Sequence, residues 1–308
     1  MRVAVMGSGG VGGYYGGLLA RVGHEVGFVA RGDHLAALQS DGLRVKSVHG
    51  DFDVVPVVAT DQPSELGQVD LVLMTVKTPD VEQASRAIKP IVGKGTTVLS
   101  LLNGIEAPEQ IGSVVGMEYV VAGATWISSA VEAPGVIHQF SQFRRIVFGE
   151  QDGSLSDRVQ SIAAVLASSG VDVEVTDSID KVLWTKFVFI AGISGMGALT
   201  RLSLGEYRDV PETRELLISL MGEVEAVGRA VGVELDGDVI EQSIAIVDSA
   251  VPQVRASMQR DVEEGRRSEL ESMIGVIRRK GRELEVPTPV ADAVYAALLP
   301  AELIARAQ

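Results

Sequence analysis

The chain has 308 residues, 46% of them hydrophobic, and no cysteine. That is enough for one large or two ordinary domains, and it excludes disulfides, thiolate catalysis and cysteine metal sites. A net charge of −14 removes the global basic footprint that nucleic acid or an anionic membrane would require.

Val3 to Met6 is an apolar run of strand length. Gly7, Gly9 and Gly12 follow as G-x-G-x-x-G, and Val11 to Val22 then reads as an amphipathic helix. Gly23 and His24 make a turn into a second apolar strand, Val26 to Ala30. Strand, glycine loop, helix and strand within about thirty residues is the dinucleotide fingerprint. Each glycine has a task. Gly7 permits the turn off the strand, Gly9 lets a pyrophosphate approach the backbone, and Gly12 lets the helix pack against the sheet. The helix N-terminus offers N–H groups and partial positive charge to phosphate.

The end of the second strand selects the cofactor. A carboxylate there bonds the ribose 2′-OH of NAD. This chain has Arg31, whose charge and fork geometry suit the 2′-phosphate of NADP. Asp33 reads as the N-cap of a helix over 34–39. Strands are expected at 43–48 and 52–58, with a turn at His49 to Asp51 between them. Val69 to Val76 is a continuous apolar run, the pattern of a strand covered on both faces, and Thr96 to Leu102 reads as another buried strand. A helix is expected from Thr78 to Ile88. Lys77 and Asn103 end the two buried strands, as Gly7 and Arg31 end the first two, and ligands of open α/β sheets bind at such ends.

Further strands are expected at 120–128, 135–139 and 145–148, a helix at 157–168 and a half-buried edge strand at 171–175. After Ser178 the strand signals stop. Helices are expected at 179–195, 212–232, 236–249, 252–264, 268–282 and 288–299, which places a domain boundary near residue 176. Val182 to Leu199 is the longest apolar stretch; Lys186 and several glycines interrupt it, so it reads as a buried helix rather than a membrane span. No signal peptide fits the N-terminus, and a cytoplasmic protein is expected. The four histidines, His24, His34, His49 and His138, lack ligand spacing, so no metal is expected.

Lys186 lies in an apolar helix beside Trp184, Phe187 and Phe189. It reads either as a proton donor to a developing alkoxide or as a lysine that snorkels from a buried helix. Desolvation would lower its pKa and a nearby carboxylate would raise it. Glu269 lies in EEGRRSELES, which on its own reads as a solvated helical face.

The blocks GSGGVGGYYGGLLARVGHEVGFVARG, VDLVLMTVKT, LLNGIE, LWTKFVFIAGISGMGALT and ASMQRDVEEGRRSELESMIG together resemble the ketopantoate reductase (2-dehydropantoate 2-reductase) family, in its order and over most of the chain. The resemblance implies an α/β Rossmann-type N-terminal domain, residues 1–175. It implies an all-α C-terminal domain like that of 6-phosphogluconate dehydrogenase, residues 176–308. It implies reduction of a small 2-keto acid by NADPH. Gly7, Gly9 and Gly12 would hold the pyrophosphate, Arg31 the 2′-phosphate, and Lys77 and Asn103 would lie beside the cofactor. Lys186 would be the general acid, Glu269 its cooperating carboxylate, and Ser257 a substrate contact.

Two helix positions where the family carries substrate-facing asparagines hold Ile190 and Ser194, and a third asparagine is replaced by Leu204. Ser194 is carried as a substrate contact, and Arg201 as an added one. The changes predict a keto acid with a more apolar tail than ketopantoate. A non-catalytic NADP(H)-binding sensor on the same fold and a β-hydroxyacid dehydrogenase are the alternatives. The apolar surface of the helical half would also serve a homodimer.

Overall fold

A computed structural model describes residues 1–307. The chain divides into two compact units, one of Met1–Leu102 with Glu106–Ile179, the other of Asn103–Ile105 with the chain from Asp180 onward.

The first unit contains β1 (Arg2–Met6), α1 (Gly10–Arg21), β2 (Glu25–Val29), α2 (Gly32–Asp41), β3 (Leu43–Ser47), β4 (Phe52–Val54), β5 (Val58–Thr60), β6 (Leu71–Met74), α3 (Val81–Ile88), β7 (Thr97–Ser100), α4 (Ala107–Val115), β8 (Val120–Ala133), β9 (Val136–Gly149), α5 (Asp157–Ser168) and β10 (Asp172–Val175). One sheet runs in the order β4-β3-β9-β8-β7-β6-β1-β2-β5, with β10 also paired to β9. Strands β7, β6, β1 and β2 are adjacent and parallel. Their period of two fills both faces. Val3, Val5, Leu71 and Leu73 point into a core shared with Tyr14, Leu18 and Leu19 of α1. Ala4, Met6, Val72 and Met74 point into another, with Val81 and Ile88 of α3 and Ile111 of α4. Burial of each such side chain contributes about 1.5–3 kcal/mol, which is why these runs hold as strands.

Several expectations are corrected. The strand expected over 52–58 stops at Val54, because Pro56 has no N–H for a ladder; Val58–Thr60 is a separate strand that pairs parallel with β2. The three strands expected over 120–148 are one long antiparallel hairpin of two 14-residue strands. Its polar middle hides it from a search for apolar alternation. Asp33 is not an N-cap: Arg31 holds that position with extended backbone, and helix α2 starts at Gly32. Asp33 lies in its first turn, where a carboxylate still favours the dipole. Helix α4 carries no strong signal in the sequence and was not expected.

Glu150, directly after β9, is buried. It accepts hydrogen bonds from Arg158 Nε (2.6 Å) and Ser156 Oγ (2.6 Å). Burial pushes its pKa up, but the Arg158 and Ser156 bonds and the Arg158 charge outweigh it and hold the carboxyl below the usual range. A depressed folded-state pKa stabilises the fold above the unfolded pKa, and that contribution is lost as pH falls through the folded value. Arg158→Ala is expected to destabilise the protein by about 2–3 kcal/mol at neutral pH, because it strands a buried carboxylate. It should also shrink the acid-side loss of stability; denaturant unfolding at neutral and acid pH checks both.

The second unit is helical: α6 (Ile179–Thr200), α7 (Leu204–Arg208), α8 (Pro211–Ala230), α9 (Val239–Ser249), α10 (Ser257–Glu263), a π-helical turn at Glu271–Gly275 leading into α11 (Val276–Glu283), and α12 (Pro289–Arg306). Its core gathers Phe187, Val188 and Met196 of α6, Leu220 and Val224 of α8, and Ile274, Ile277 and Val294. Helix α6 is long and apolar enough to cross a membrane, but 67% of its most apolar window is buried. The expected helices at 236–249, 252–264 and 268–282 begin later, at Val239, Ser257 and the π turn. Helix α7, not expected, is closed by a capping box of Ser203 and Glu206.

Candidate active site

Gly7, Arg31, Lys77 and Asn103 follow the carboxyl ends of β1, β2, β6 and β7. Gly7 has φ +99°, and a Cβ there would lie 2.8 Å from the Val76 nitrogen. A Cβ on Gly12 would lie 2.3 Å from the Gly7 carbonyl oxygen and 2.4 Å from Thr75 Oγ1. A Cβ on Gly9 would meet nothing within 4 Å. Gly7 and Gly12 are therefore demanded by packing, whereas Gly9 leaves backbone open to an approaching group. Thr75 Oγ1 donates to the Gly7 carbonyl (2.9 Å) and steadies the turn. This hydroxyl was missed because it lies 68 residues from the loop. Helix α1 has no acidic residue in its first turn, so nothing there opposes an anion. Arg31 and Lys77 are both exposed, at the starts of α2 and of a 3-10 turn.

In the second unit, Lys186 Nζ donates to Asn103 Oδ1 at 2.9 Å. Burial lowers the Lys186 pKa to about 8, against a smaller upward pull from Glu269. The two opposed influences read from the sequence are thereby ranked: desolvation is the larger. Glu269 is 6% exposed, so it departs from the solvated face that Glu263, Glu264, Arg266 and Arg267 of the same run do form. Next to it, Ser268 donates through its N–H (3.0 Å) and Oγ (2.6 Å) to Glu302 Oε2, and Arg306 donates to Oε1 (2.8 Å). That buried carboxylate ties down the backbone from which Glu269 projects. Glu302 is 34 residues from Ser268, and no sequence pattern links them.

Ser194, two helical turns beyond Lys186, is fully buried. Ile190 packs against the core of this unit, and Leu204 is within it. Ser257 is the exposed first residue of α10. Arg201 is exposed at the end of α6 with φ +58°, a left-handed C-terminal conformation.

A glycine loop at the end of β1, in a sheet where β7, β6, β1 and β2 run parallel, marks a Rossmann-type dinucleotide-binding protein. The chain belongs to the ketopantoate reductase family: the model described as ketopantoate reductase PanE/ApbA matches residues 3–153, and that of its C-terminal region matches 178–302. An uncharacterized oxidoreductase of Bacillus subtilis (strain 168) is 31% identical over 97% of this chain and 98% of its own. The 2-dehydropantoate 2-reductase of Halobacterium salinarum is 31% identical over 94% and 95%. The crystal structure of a PanE/ApbA family ketopantoate reductase from Ralstonia eutropha JMP134 superposes with a TM-score of 0.92 at 33% identity, covering 99% of this chain and all of that one. The family is one of NADP-dependent oxidoreductases acting on CH–OH/C=O groups.

Proposed function

We propose that the protein reduces a 2-keto acid with NADPH, with Lys186 as the general acid, and that the substrate is ketopantoate or a relative with a less polar tail. The observation that carries this reading is Lys186: a half-buried ammonium, held by Asn103, with a pKa lowered to about 8. A carbonyl acquiring hydride becomes an alkoxide, and a donor with a pKa near the working pH serves it best. NADPH, when bound, supplies the hydride. Gly7, Gly9 and Gly12 admit its pyrophosphate and Arg31 holds the 2′-phosphate, with Lys77 beside the ribose. Lys186 hydrogen-bonds the carbonyl oxygen and gives it a proton. Asn103 keeps Nζ in place, Glu269 supports its charge, and Ser257 and Ser194 contact the substrate.

The apolar tail follows from Ile190, Ser194 and Leu204. Each lost amide partner of a hydroxyl is worth about 1 kcal/mol. Trimethylpyruvate is ketopantoate without its terminal hydroxyl. The two are expected to differ in kcat/KM by less than about tenfold, whereas a site built to bind that hydroxyl would discriminate by orders of magnitude. NADPH oxidation with each keto acid tests the reading. Ketopantoate preferred by a wide margin overturns the apolar tail; no turnover of any keto acid overturns the activity.

Arg31→Ala is expected to raise the KM for NADPH about 10- to 100-fold and to leave that for NADH unchanged, since only the former loses a charge-assisted contact. Equal loss for both cofactors would remove Arg31 from the 2′-phosphate.

A further inference from the structure

His34 lies in the first turn of α2, three residues after Arg31. The Gly135 N–H donates to its Nδ1 at 3.1 Å. A backbone N–H can only donate, so Nδ1 carries no proton, and the neutral ring bears its hydrogen on Nε2. Nε2 lies 2.8 Å from the Ser8 carbonyl oxygen and donates to it. Ser8 is the second residue of the glycine loop. Its N–H and Oγ both donate to the Val29 carbonyl, at 3.2 and 3.0 Å. Gly135 is the turn of the β8–β9 hairpin, and a Cβ on it would lie 3.1 Å from Ala37 Cβ of α2. A Cβ on Gly10 would meet the Ser129 carbonyl oxygen at 2.6 Å. Loop, helix α2 and hairpin therefore converge, and the imidazole bridges all three.

The Ser8 carbonyl and the Gly9 N–H belong to one planar trans peptide and point in opposite directions. Whatever holds the carbonyl thereby aims the N–H. Gly9 is the loop residue with open space where a Cβ would stand.

We propose that His34 is a positioning residue for the dinucleotide: by anchoring the Ser8 carbonyl it orients the Gly9 N–H toward the pyrophosphate. The proposal rests on the assignment of this loop to NADPH. Burial lowers the His34 pKa, against a smaller opposite effect of the Ser8 bond, which favours the neutral ring that both bonds require.

Two conservative variants separate the two bonds. In His34→Gln, the amide nitrogen reaches near the place of Nε2 and can still donate to Ser8. In His34→Asn, the amide oxygen reaches near the place of Nδ1 and can still accept from Gly135. NADPH affinity by calorimetry and kcat at saturating NADPH are measured for the wild type, both variants and His34→Ala. His34→Asn and His34→Ala are expected to weaken NADPH about tenfold. His34→Gln should stay within about threefold of the wild type, with kcat unchanged throughout. A purely structural histidine would lower thermal stability without separating the Gln and Asn variants in affinity, and that result overturns the proposal. So does a His34→Gln affinity as poor as that of His34→Ala. A wild type that binds no NADPH overturns the cofactor assignment itself, and is recognised before any variant is compared.

Discussion

Lys186→Ala is expected to lower turnover about a thousand-fold while NADPH binds as tightly as before. The loss combines the proton donor with the positive charge that steadies the developing alkoxide, effects worth about 10²- to 10⁴-fold. The pH profile gives an independent check. A general acid must be protonated, and Lys186 has a pKa of about 8. The kcat/KM for reduction should be level below that pH and fall about tenfold per unit above it. Oxidation of the alcohol product uses the neutral amine as base, so it should rise through the same pH. Asn103→Asp places a carboxylate where the amide oxygen now accepts Nζ, and should move the inflection to higher pH, because a negative charge favours the ammonium. A profile with no inflection between about pH 7 and 9, or an alanine variant within tenfold of the wild type, would remove Lys186 from the chemistry.

Gly12→Ala is expected to abolish NADPH binding, with a loss of at least about a hundredfold, and to destabilise the fold by about 1–3 kcal/mol. The added Cβ would sit 2.3 Å from the Gly7 carbonyl oxygen and 2.4 Å from Thr75 Oγ1. The first is backbone, and the second is fixed by its bond to that same carbonyl. Neither can retreat, so the loop itself must move. Gly9→Ala is the control. It has room for its methyl and an extended backbone with φ −76°, so it should weaken NADPH while leaving thermal unfolding unchanged. Calorimetry and thermal unfolding on both variants separate the glycine needed for packing from the one needed for the ligand. A Gly12→Ala protein with wild-type affinity would overturn the assignment of this loop.

The strands legible in the sequence are those whose residues are buried on both faces. Val3 to Met6 and Leu71 to Met74 are continuous apolar runs because each alternate residue enters a different core. The β8–β9 hairpin was seen only in fragments. Ser128, Glu132, Gln139, Ser141 and Gln142 break its apolar pattern, and its strands exist because each ladder supplies the other's hydrogen bonds. Gly7, Gly9, Gly12 and Arg31 could be read directly, since a turn, a close backbone approach and a strand end are local demands on the chain. Lys186 could be singled out as a charge in an apolar helix, but not the direction of its pKa. That depends on burial and on Glu269, 83 residues later, whose surroundings of charge disguise a buried carboxylate. His34 is one of four scattered histidines until the Ser8 carbonyl and the Gly135 N–H meet its ring. By itself the sequence determined the glycine loop, the buried parallel strands and the helical second half, because periodicity and backbone sterics act within a few residues. Only the tertiary structure decided which polar groups meet and how strongly each is desolvated. Those energies depend on distance and burial, and neither is set by separation along the chain.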